Sequence, residues 1–216
     1  AKLAREVANQ YSTKERPRWV LGSLGPGTKL PTLGHTTYDF LKEAYKTASD
    51  GLIEGGCDAL LIETTQDLLQ AKAATNGARA AINESKKDIV LIAQVTIETN
   101  GTMLMGSEIG AALNALEPIG VDLIGLNCAT GPAEMSEHLR VLSKGASIGL
   151  SVMPNAGLPV LGPNGAHYPL SPVDLAKALK VFIEDYGLNF IGGCCGTTPE
   201  HLKEVVAVAQ MERPVA

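Results

Sequence analysis

The sequence predicts an α/β fold in which short strands and helices alternate along the chain. Six short runs are almost continuously apolar, as expected for strands that are buried on both faces of a sheet. Segments with helical patterns lie between these runs, and such repeats form βα units with a parallel sheet. No linker or shift in composition divides the chain, so we expect residues 1–216 to form one domain.

The elements follow one another in a regular order. The predicted strands are 19–22, 59–62, 89–95, 122–126, 148–152 and 188–191. The predicted helices are an amphipathic opening helix and the segments 38–54, 66–83, 108–116, 133–142, 172–186 and 199–209. Ser171 and Thr198 each precede a proline, which predicts a hydroxyl cap at the start of the last two helices. The pair Asn100-Gly101 is typical of hairpin turns and predicts a small projecting ribbon.

Two architectures fit repeated βα units, namely a doubly wound sheet and a (β/α)8 barrel. The glycine-rich stretch 22–27 matches a phosphate-binding turn only weakly, because Pro26 has no N–H and no helix follows directly. Polar residues and cysteines instead follow one predicted strand after another, and barrel active sites collect at these carboxyl-terminal strand ends. This favours the barrel, but six strands are two fewer than a complete barrel has.

Composition excludes several classes of partner. The net charge is −5 and the basic residues are scattered, so we expect no nucleic-acid binding. The longest apolar runs are too short to cross a membrane, and the first residues do not resemble a signal peptide. Four cysteines are too few for a disulfide scaffold in a chain of 216 residues. We therefore expect a cytoplasmic protein with reduced thiols and a small-molecule partner.

Three of the cysteines follow predicted strands. Cys128 lies in LIGLNCATGP, and Cys194 and Cys195 lie in FIGGCCGTTP, two strands further along the same edge. Three thiolates would make a zinc site, and an open fourth position would make it catalytic. Neighbouring residues of a regular strand point to opposite faces, so the glycines on either side would have to bend the backbone. Two alternatives stay open, namely buried small side chains and a strained vicinal disulfide.

Other candidate residues are less distinctive. Glu63 ends an apolar strand, where an acid needs a positive partner such as a substrate ammonium or an arginine of the fold. Asn155 is a candidate to complete a metal shell or to orient a ligand, and it also suits a turn. Ser23 is a candidate donor to a substrate carboxylate, whereas Cys57 precedes its strand and is expected to pack in the core. We expect surface or helix-end positions for all four histidines, His35, His138, His167 and His201.

Three motifs at predicted strand ends carry a family resemblance. They are GLNCATGP, PNAGLP and GGCCGTTPEH, and they occur in this order. Together with GSLGPGTKLPTLGHT, LLIETTQDLLQAKAA and GTMLMGSEIGAAL, they resemble the homocysteine S-methyltransferase family, in particular the homocysteine-binding domains of its cobalamin-dependent members. The resemblance covers essentially the whole chain.

The resemblance implies a (β/α)8 TIM barrel with a zinc ion held by Cys128, Cys194 and Cys195, and homocysteine sulfur as a further ligand. It also implies that Glu63 helps to hold the homocysteine amino group. Ser23 and Asn155 remain candidate substrate contacts because of their positions at strand ends. The first two βα units of the family barrel have no counterpart here. An open six-stranded sheet would have two unpaired edges, which predicts aggregation, swapping or completion by another chain.

The same resemblance implies an activity and its partners. Homocysteine would accept a methyl group to form methionine, and methylcobalamin bound by another module would be the donor. A folate-binding module would recharge the cobalamin from methyltetrahydrofolate. Two alternatives stay open, namely another donor such as S-methylmethionine or betaine, and a non-catalytic fragment in which zinc only stabilises the sheet.

Overall fold

The computed structural model describes residues 1–163 and 165–209, and its main element is a curled sheet of six parallel strands. The described residues contain eight strands in all, which are β1 (Leu21–Leu24), β2 (Ala59–Thr65), β3 (Val90–Val95), β4 (Leu123–Asn127), β5 (Gly149–Met153), β6 (Val160–Gly162), β7 (Gly165–His167) and β8 (Phe190–Ile191). The order in the sheet is β1-β2-β3-β4-β5-β8, and β6 and β7 form a separate antiparallel ribbon.

The strand order decides between the two predicted architectures. Each strand of the large sheet pairs in parallel with the next one of that sheet along the chain. Right-handed crossovers between successive neighbours place all helices on the same face, as in a barrel wall. In a doubly wound sheet the order would reverse and helices would cover both faces. The α/β barrel-type fold is therefore confirmed, with six strands in a partial barrel.

Seven α-helices accompany the strands within the described residues. They are α1 (Lys2–Tyr11), α2 (Tyr38–Glu54), α3 (Leu68–Ser85), α4 (Ile109–Leu116), α5 (Pro132–Gly145), α6 (Pro172–Tyr186) and α7 (Pro199–Ala209). The Ser171 hydroxyl accepts a hydrogen bond from the N–H of Asp174, which confirms its predicted role as the cap of α6. None of the helices that the structure describes is both long and apolar enough to cross a membrane.

The hydrophobic core lies between the helices and one face of the sheet. One register row across β1 to β5 is buried throughout and belongs to this core; its members are Leu24, Ile62, Ala93, Ile124 and Leu150. The residues directly before and after these core positions along each strand point to the opposite face of the sheet. Buried polar side chains, among them Gln94, Asn127 and Ser151, follow this alternation. The second face of the sheet therefore carries buried polar side chains together with apolar ones such as Leu61 and Ile92.

The prediction of a projecting ribbon at Asn100-Gly101 is wrong. The Gly101 N–H does bond to the Glu98 carbonyl at 2.9 Å, so a turn forms, but residues 96–108 contain no strand. Met103 is fully buried and holds this loop against the core, so no ribbon projects from the sheet. The ribbon of the structure, β6 and β7, instead lies between β5 and α6, where no strand was predicted.

Gly125 of β4 leaves room for the side chains of Gln94 and Ser151 to meet on the second face of the sheet. It lies in register between Gln94 of β3 and Ser151 of β5, and the Gln94 side chain donates across it to the Ser151 hydroxyl at 3.3 Å. A Cβ atom at this position would overlap the carbonyl oxygen and the hydroxyl of Ser151. The backbone of β5 cannot move away without breaking its pairing with β4.

We expect Gly125→Ala to lower the free energy of unfolding by about 3 kcal/mol, because an added methyl in a packed interior forces backbone displacement. Urea denaturation measures the change. Gly51→Ala is the control, since Gly51 lies in α2 with no atom within 4 Å of an added Cβ. Alanine there should stabilise the helix by up to about 1 kcal/mol. Equal midpoints for the two variants would contradict the packing argument.

Candidate metal centre

Three cysteine sulfurs converge at the carboxyl-terminal edge of the sheet. The Sγ atom of Cys195 lies 3.8 Å from that of Cys128 and 3.9 Å from that of Cys194. All three sulfurs lie within 4.8 Å of one another. A tetrahedral zinc ion with Zn–S bonds of about 2.3 Å needs sulfur atoms about 3.8 Å apart. The cluster therefore has the donor type and the spacing of a three-cysteine zinc site.

The loop after β5 holds Cys194 and Cys195 in place. The Cys194 N–H donates to the Pro154 carbonyl at 2.8 Å, and the Cys195 N–H donates to Oδ1 of Asn155 at 3.0 Å. The Cys195 carbonyl in turn accepts from the Ala156 N–H at 2.9 Å. Regular strand pairing has ended by this point, because β8 ends at Ile191. These three bonds orient the two neighbouring residues so that both sulfurs can face Cys128.

The predicted bend at the glycines is centred on one residue. Gly196 has a φ of +77°, in the left-handed region that glycine adopts without strain. Gly192 and Gly193 are not in that region, but a Cβ at Gly193 would overlap the side chain of Thr197. The Tyr168 ring lies against Gly196, where a Cβ would collide with it. Gly196 thus provides the turn, and Gly193 provides room for the following residues.

Cys128 reaches the cluster through an unusual backbone. Its φ is +61° and that of Ala129 is +58°, although neither residue is glycine. Each such residue costs about 1–2 kcal/mol. Neighbouring segments brace this turn, since the Cys128 N–H donates to the Met153 carbonyl at 3.2 Å and the Thr130 N–H donates to the Cys128 carbonyl at 2.7 Å. No sequence pattern predicts this conformation.

The sulfur atoms influence one another's protonation. The hydrogen bond from Cys194 stabilises the Cys128 thiolate and lowers the pKa of Cys128 to about 6. The same contact raises the pKa of Cys194, which keeps its proton. A hydrogen bond to Cys195 raises the pKa of the Tyr168 phenol. Without a metal, Cys128 therefore forms a thiolate readily while Cys194 keeps its proton, which is the behaviour expected of two closely spaced thiols.

Glu63 lies next to the cysteine cluster, at the end of β2. Its Oε1 accepts a hydrogen bond of 2.5 Å from the Ser23 hydroxyl, and its Oε2 lies 3.5 Å from Nδ2 of Asn127. Of the two positive partners considered for Glu63, the arginine is not found: no Lys, Arg or His nitrogen in residues 1–163 and 165–209 lies within 4.0 Å of its carboxylate. A ligand with an ammonium group would fit this carboxylate.

The remaining sequence candidates have mixed outcomes. Asn155 is buried and its Oδ1 binds the Cys195 backbone, while its role toward a ligand stays a prediction. Cys57 is confirmed as a core residue, with 5% of its surface exposed, and burial raises its pKa. His201 lies in the first turn of α7, which is one of its two predicted positions, but it is not on the surface. Its ring is buried, with Nε2 at 2.9 Å from the Leu170 carbonyl and Nδ1 at 2.9 Å from the Thr198 hydroxyl, so it joins two loops.

Two residues of the site were not found from the sequence. Asn127 lies between Glu63 and Cys194, and Tyr168 covers Gly196 beside Cys195. Asn127 follows the predicted strand 122–126 and directly precedes Cys128, and no sequence pattern predicts a role for it. Its position as an inward-facing polar residue of β4 was the available signal. Tyr168 follows the ribbon that the sequence did not predict, so nothing placed it near the cysteines.

Comparison with known proteins gives a consistent family. The family model described as homocysteine S-methyltransferase matches residues 1–209. The methionine synthase of Mycobacterium tuberculosis (strain ATCC 25618 / H37Rv) is 62% identical over 213 residues, which are 98% of this chain and 18% of that protein. The methionine synthase of Mycobacterium leprae (strain TN) is 62% identical over 205 residues, 95% of this chain and 17% of that protein. The chain thus spans less than a fifth of these relatives.

Solved structures show the same fold. The homocysteine methyltransferase MmuM from Escherichia coli, in its apo form, superposes with a TM-score of 0.73 at 21% identity. The match covers 96% of this chain and 70% of that one. The metallated form of the same protein gives a TM-score of 0.69 and covers 67% of its chain. These matches support the fold alone.

We expect metal-free protein to form one thiolate with a midpoint near pH 6 as the pH rises, because the Cys194 hydrogen bond lowers the pKa of Cys128 to about 6. The ultraviolet absorbance of thiolate measures this titration. In Cys194→Ala the midpoint should rise toward the ordinary thiol value, since the main stabilising contact is lost. The thiol of Cys57 stays protonated in this range, because burial raises its pKa. A wild-type midpoint in the ordinary thiol range would contradict the geometry of the cluster.

Proposed function

Because the chain belongs to the homocysteine S-methyltransferase family, we propose that it is the part of a zinc-dependent methyltransferase that binds homocysteine and activates its thiol. The observation that carries this proposal is the sulfur spacing of 3.8 and 3.9 Å, which is the spacing that tetrahedral zinc requires. Three cysteines are one ligand fewer than a closed structural site has. The Cys195 residue is exposed, so the cluster is open to a substrate sulfur.

Zinc held by Cys128, Cys194 and Cys195 would keep a coordinated homocysteine sulfur deprotonated at neutral pH. The chain's own residues have the complementary task of orientation. The backbones of Cys194 and Cys195 are held by hydrogen bonds to residues 154–156, as described above. A site whose ligands are held in this way can present a sulfur in one direction, as methyl transfer by in-line attack requires.

The amino group of homocysteine would bind at Glu63. The Ser23 hydroxyl holds one oxygen of this carboxylate and leaves the group without a cation of its own in the described chain. Asn155 and Ser23 are further candidate contacts of the substrate. Glu63 would therefore bind one end of the substrate and the cysteine cluster the other.

We also propose methylcobalamin as the methyl donor, because the chain shares 62% identity with methionine synthases. When bound, methylcobalamin would supply the methyl group to the homocysteine sulfur that Cys128, Cys194 and Cys195 would hold through zinc. Cobalamin- and folate-binding modules would belong to other parts of the same enzyme, since the chain matches 17–18% of those relatives. The proposed zinc site needs reduced thiols, which supports the proposal of a cytoplasmic protein.

We expect Cys195→Ala to lose tightly bound zinc, because two sulfurs cannot hold the ion as three do. Atomic absorption on dialysed protein measures the metal content. Cys57→Ala is the matched control: it removes a cysteine from the core and should retain one zinc per chain. Full retention of tightly bound zinc in Cys195→Ala would rule out the proposed site.

We expect X-ray absorption at the zinc edge to show an additional sulfur neighbour when homocysteine is added. A zinc ion that only stabilises the sheet would have a closed shell, and its spectrum would not change. Assays of turnover with methylcobalamin, S-methylmethionine and betaine then separate the possible donors. Turnover with either of the latter two, but not with methylcobalamin, would contradict the proposed donor.

A further inference from the structure

We propose that Asn127 is a positioning residue that aims the Glu63 carboxylate at the substrate amino group and sets the distance of this carboxylate from the cysteine cluster. Asn127 would thereby determine the preference of the site for a thiol that carries an amino group. This inference rests on the proposed function, and it assigns a role to Asn127, which the motif GLNCATGP contains but for which no sequence pattern predicts a role.

Asn127 forms two hydrogen bonds with Thr64, near the end of β2. It is the last residue of β4 and is fully buried. Its Oδ1 accepts from the Thr64 N–H at 2.7 Å, and its Nδ2 donates to the Thr64 hydroxyl at 2.8 Å. The reverse orientation of the amide would place its NH2 group against the Thr64 N–H, two donors facing each other. The hydrogen bonds therefore fix which way the side chain points.

The residue that Asn127 holds is strained. Thr64 has a φ of +58°, which is costly for a β-branched residue. The register of β2 against β3 slips between Ile62 and Thr65, so Glu63 and Thr64 form a bulge. Bulges commonly re-aim a side chain next to an active site. Here the bulge removes the Thr64 N–H from regular pairing, and Asn127 supplies the acceptor that replaces the lost partner.

The second hydrogen of the Asn127 amide faces two groups at once. One is Oε2 of Glu63, which lies 3.5 Å from the Asn127 Nδ2 atom, and the other is Sγ of Cys194, which lies 3.9 Å from the same nitrogen. An amide has two N–H hydrogens, and the Thr64 hydroxyl already engages one of them. The other hydrogen thus lies between a carboxylate and a metal-site sulfur. A neutral donor suits this position because it can approach both groups without adding charge.

These contacts set the direction of the Glu63 carboxylate. Ser23 donates to Oε1 and Asn127 approaches Oε2, so each oxygen has a donor from a different strand. The remaining lone pairs are free to accept N–H bonds from an ammonium group. Without the Asn127 side chain, the bulge would lose the hydrogen bonds that hold Thr64, and the Glu63 carboxylate would lose one of its two donors. The cysteines keep their own backbone contacts to residues 154–156, so metal binding should not depend on Asn127.

The test compares two thiols on the zinc-loaded full chain by calorimetry. One is homocysteine and the other is γ-mercaptobutyrate, which is homocysteine without its amino group. In Asn127→Ala we expect the preference for homocysteine to fall about tenfold, as for a lost contact to a charged group, while the affinity for γ-mercaptobutyrate and the zinc content stay unchanged. A preference that survives the substitution, or an equal loss for both thiols, would overturn the inference.

Asn189→Ala is the matched control. Asn189 also accepts a backbone N–H, that of Leu150 at 3.0 Å, but it directly precedes β8, at the amino-terminal edge of the sheet. It should retain the full preference. If Asn127→Ala does not fold, Thr64→Ala is tested instead. It removes one of the two hydrogen bonds between Asn127 and residue 64, and the preference for homocysteine should fall about threefold. An unchanged preference in that variant contradicts the inference equally.

The wild type separates this inference from the proposed function. A wild-type chain that binds no zinc, or that binds both thiols equally, contradicts the proposed function and the role of Asn127 with it. A wild type with the preference, combined with an Asn127→Ala variant that keeps it, contradicts only the role of Asn127.

Discussion

The convergence of three sulfurs on one point is the constraint on which the rest of the site depends. Two of them belong to neighbouring residues, whose side chains would point apart in any regular strand. The structure meets this constraint by ending β8 early and transferring the backbone of Cys194 and Cys195 to the loop after β5. The parallel register of β4, β5 and β8 makes this possible, because it brings the strand ends to the same edge of the sheet.

Backbone strain collects at this edge while the stability comes from elsewhere. Among the described residues, four other than glycine have positive φ angles, and three of them, Thr64, Cys128 and Ala129, follow or end strands beside the site. Each needs a partner that holds it, and the structure provides Asn127 for Thr64 and the Met153 carbonyl for Cys128. The apolar row between sheet and helices compensates for this strain, since it buries side chains from every strand from β1 to β5. Strained residues of this kind persist only where the surrounding structure determines them.

Sequence patterns predicted what depends on burial and spacing. The apolar runs identified all six strands of the main sheet, and the caps identified helix starts such as Ser171, because both signals are local. The convergence of the cysteines followed from the parallel order of the strands. The ribbon of β6 and β7, the left-handed Cys128 and the buried His201 could not be predicted, because each depends on contacts between distant segments. The ring of His201, for example, is buried by the Leu170 loop, 31 residues away.

The end of β4 joins the two halves of the site. Cys128 faces the sulfurs, and Asn127, the residue before it, holds the segment that carries Glu63. In a continuing strand these two side chains would point to opposite faces, one toward the site and one toward the helices. The left-handed φ of Cys128 changes this, so that both can serve the same edge. A displacement of the β4 end would therefore alter the cysteine cluster and the Glu63 carboxylate together, which would couple the proposed sulfur site to the proposed amino-group site.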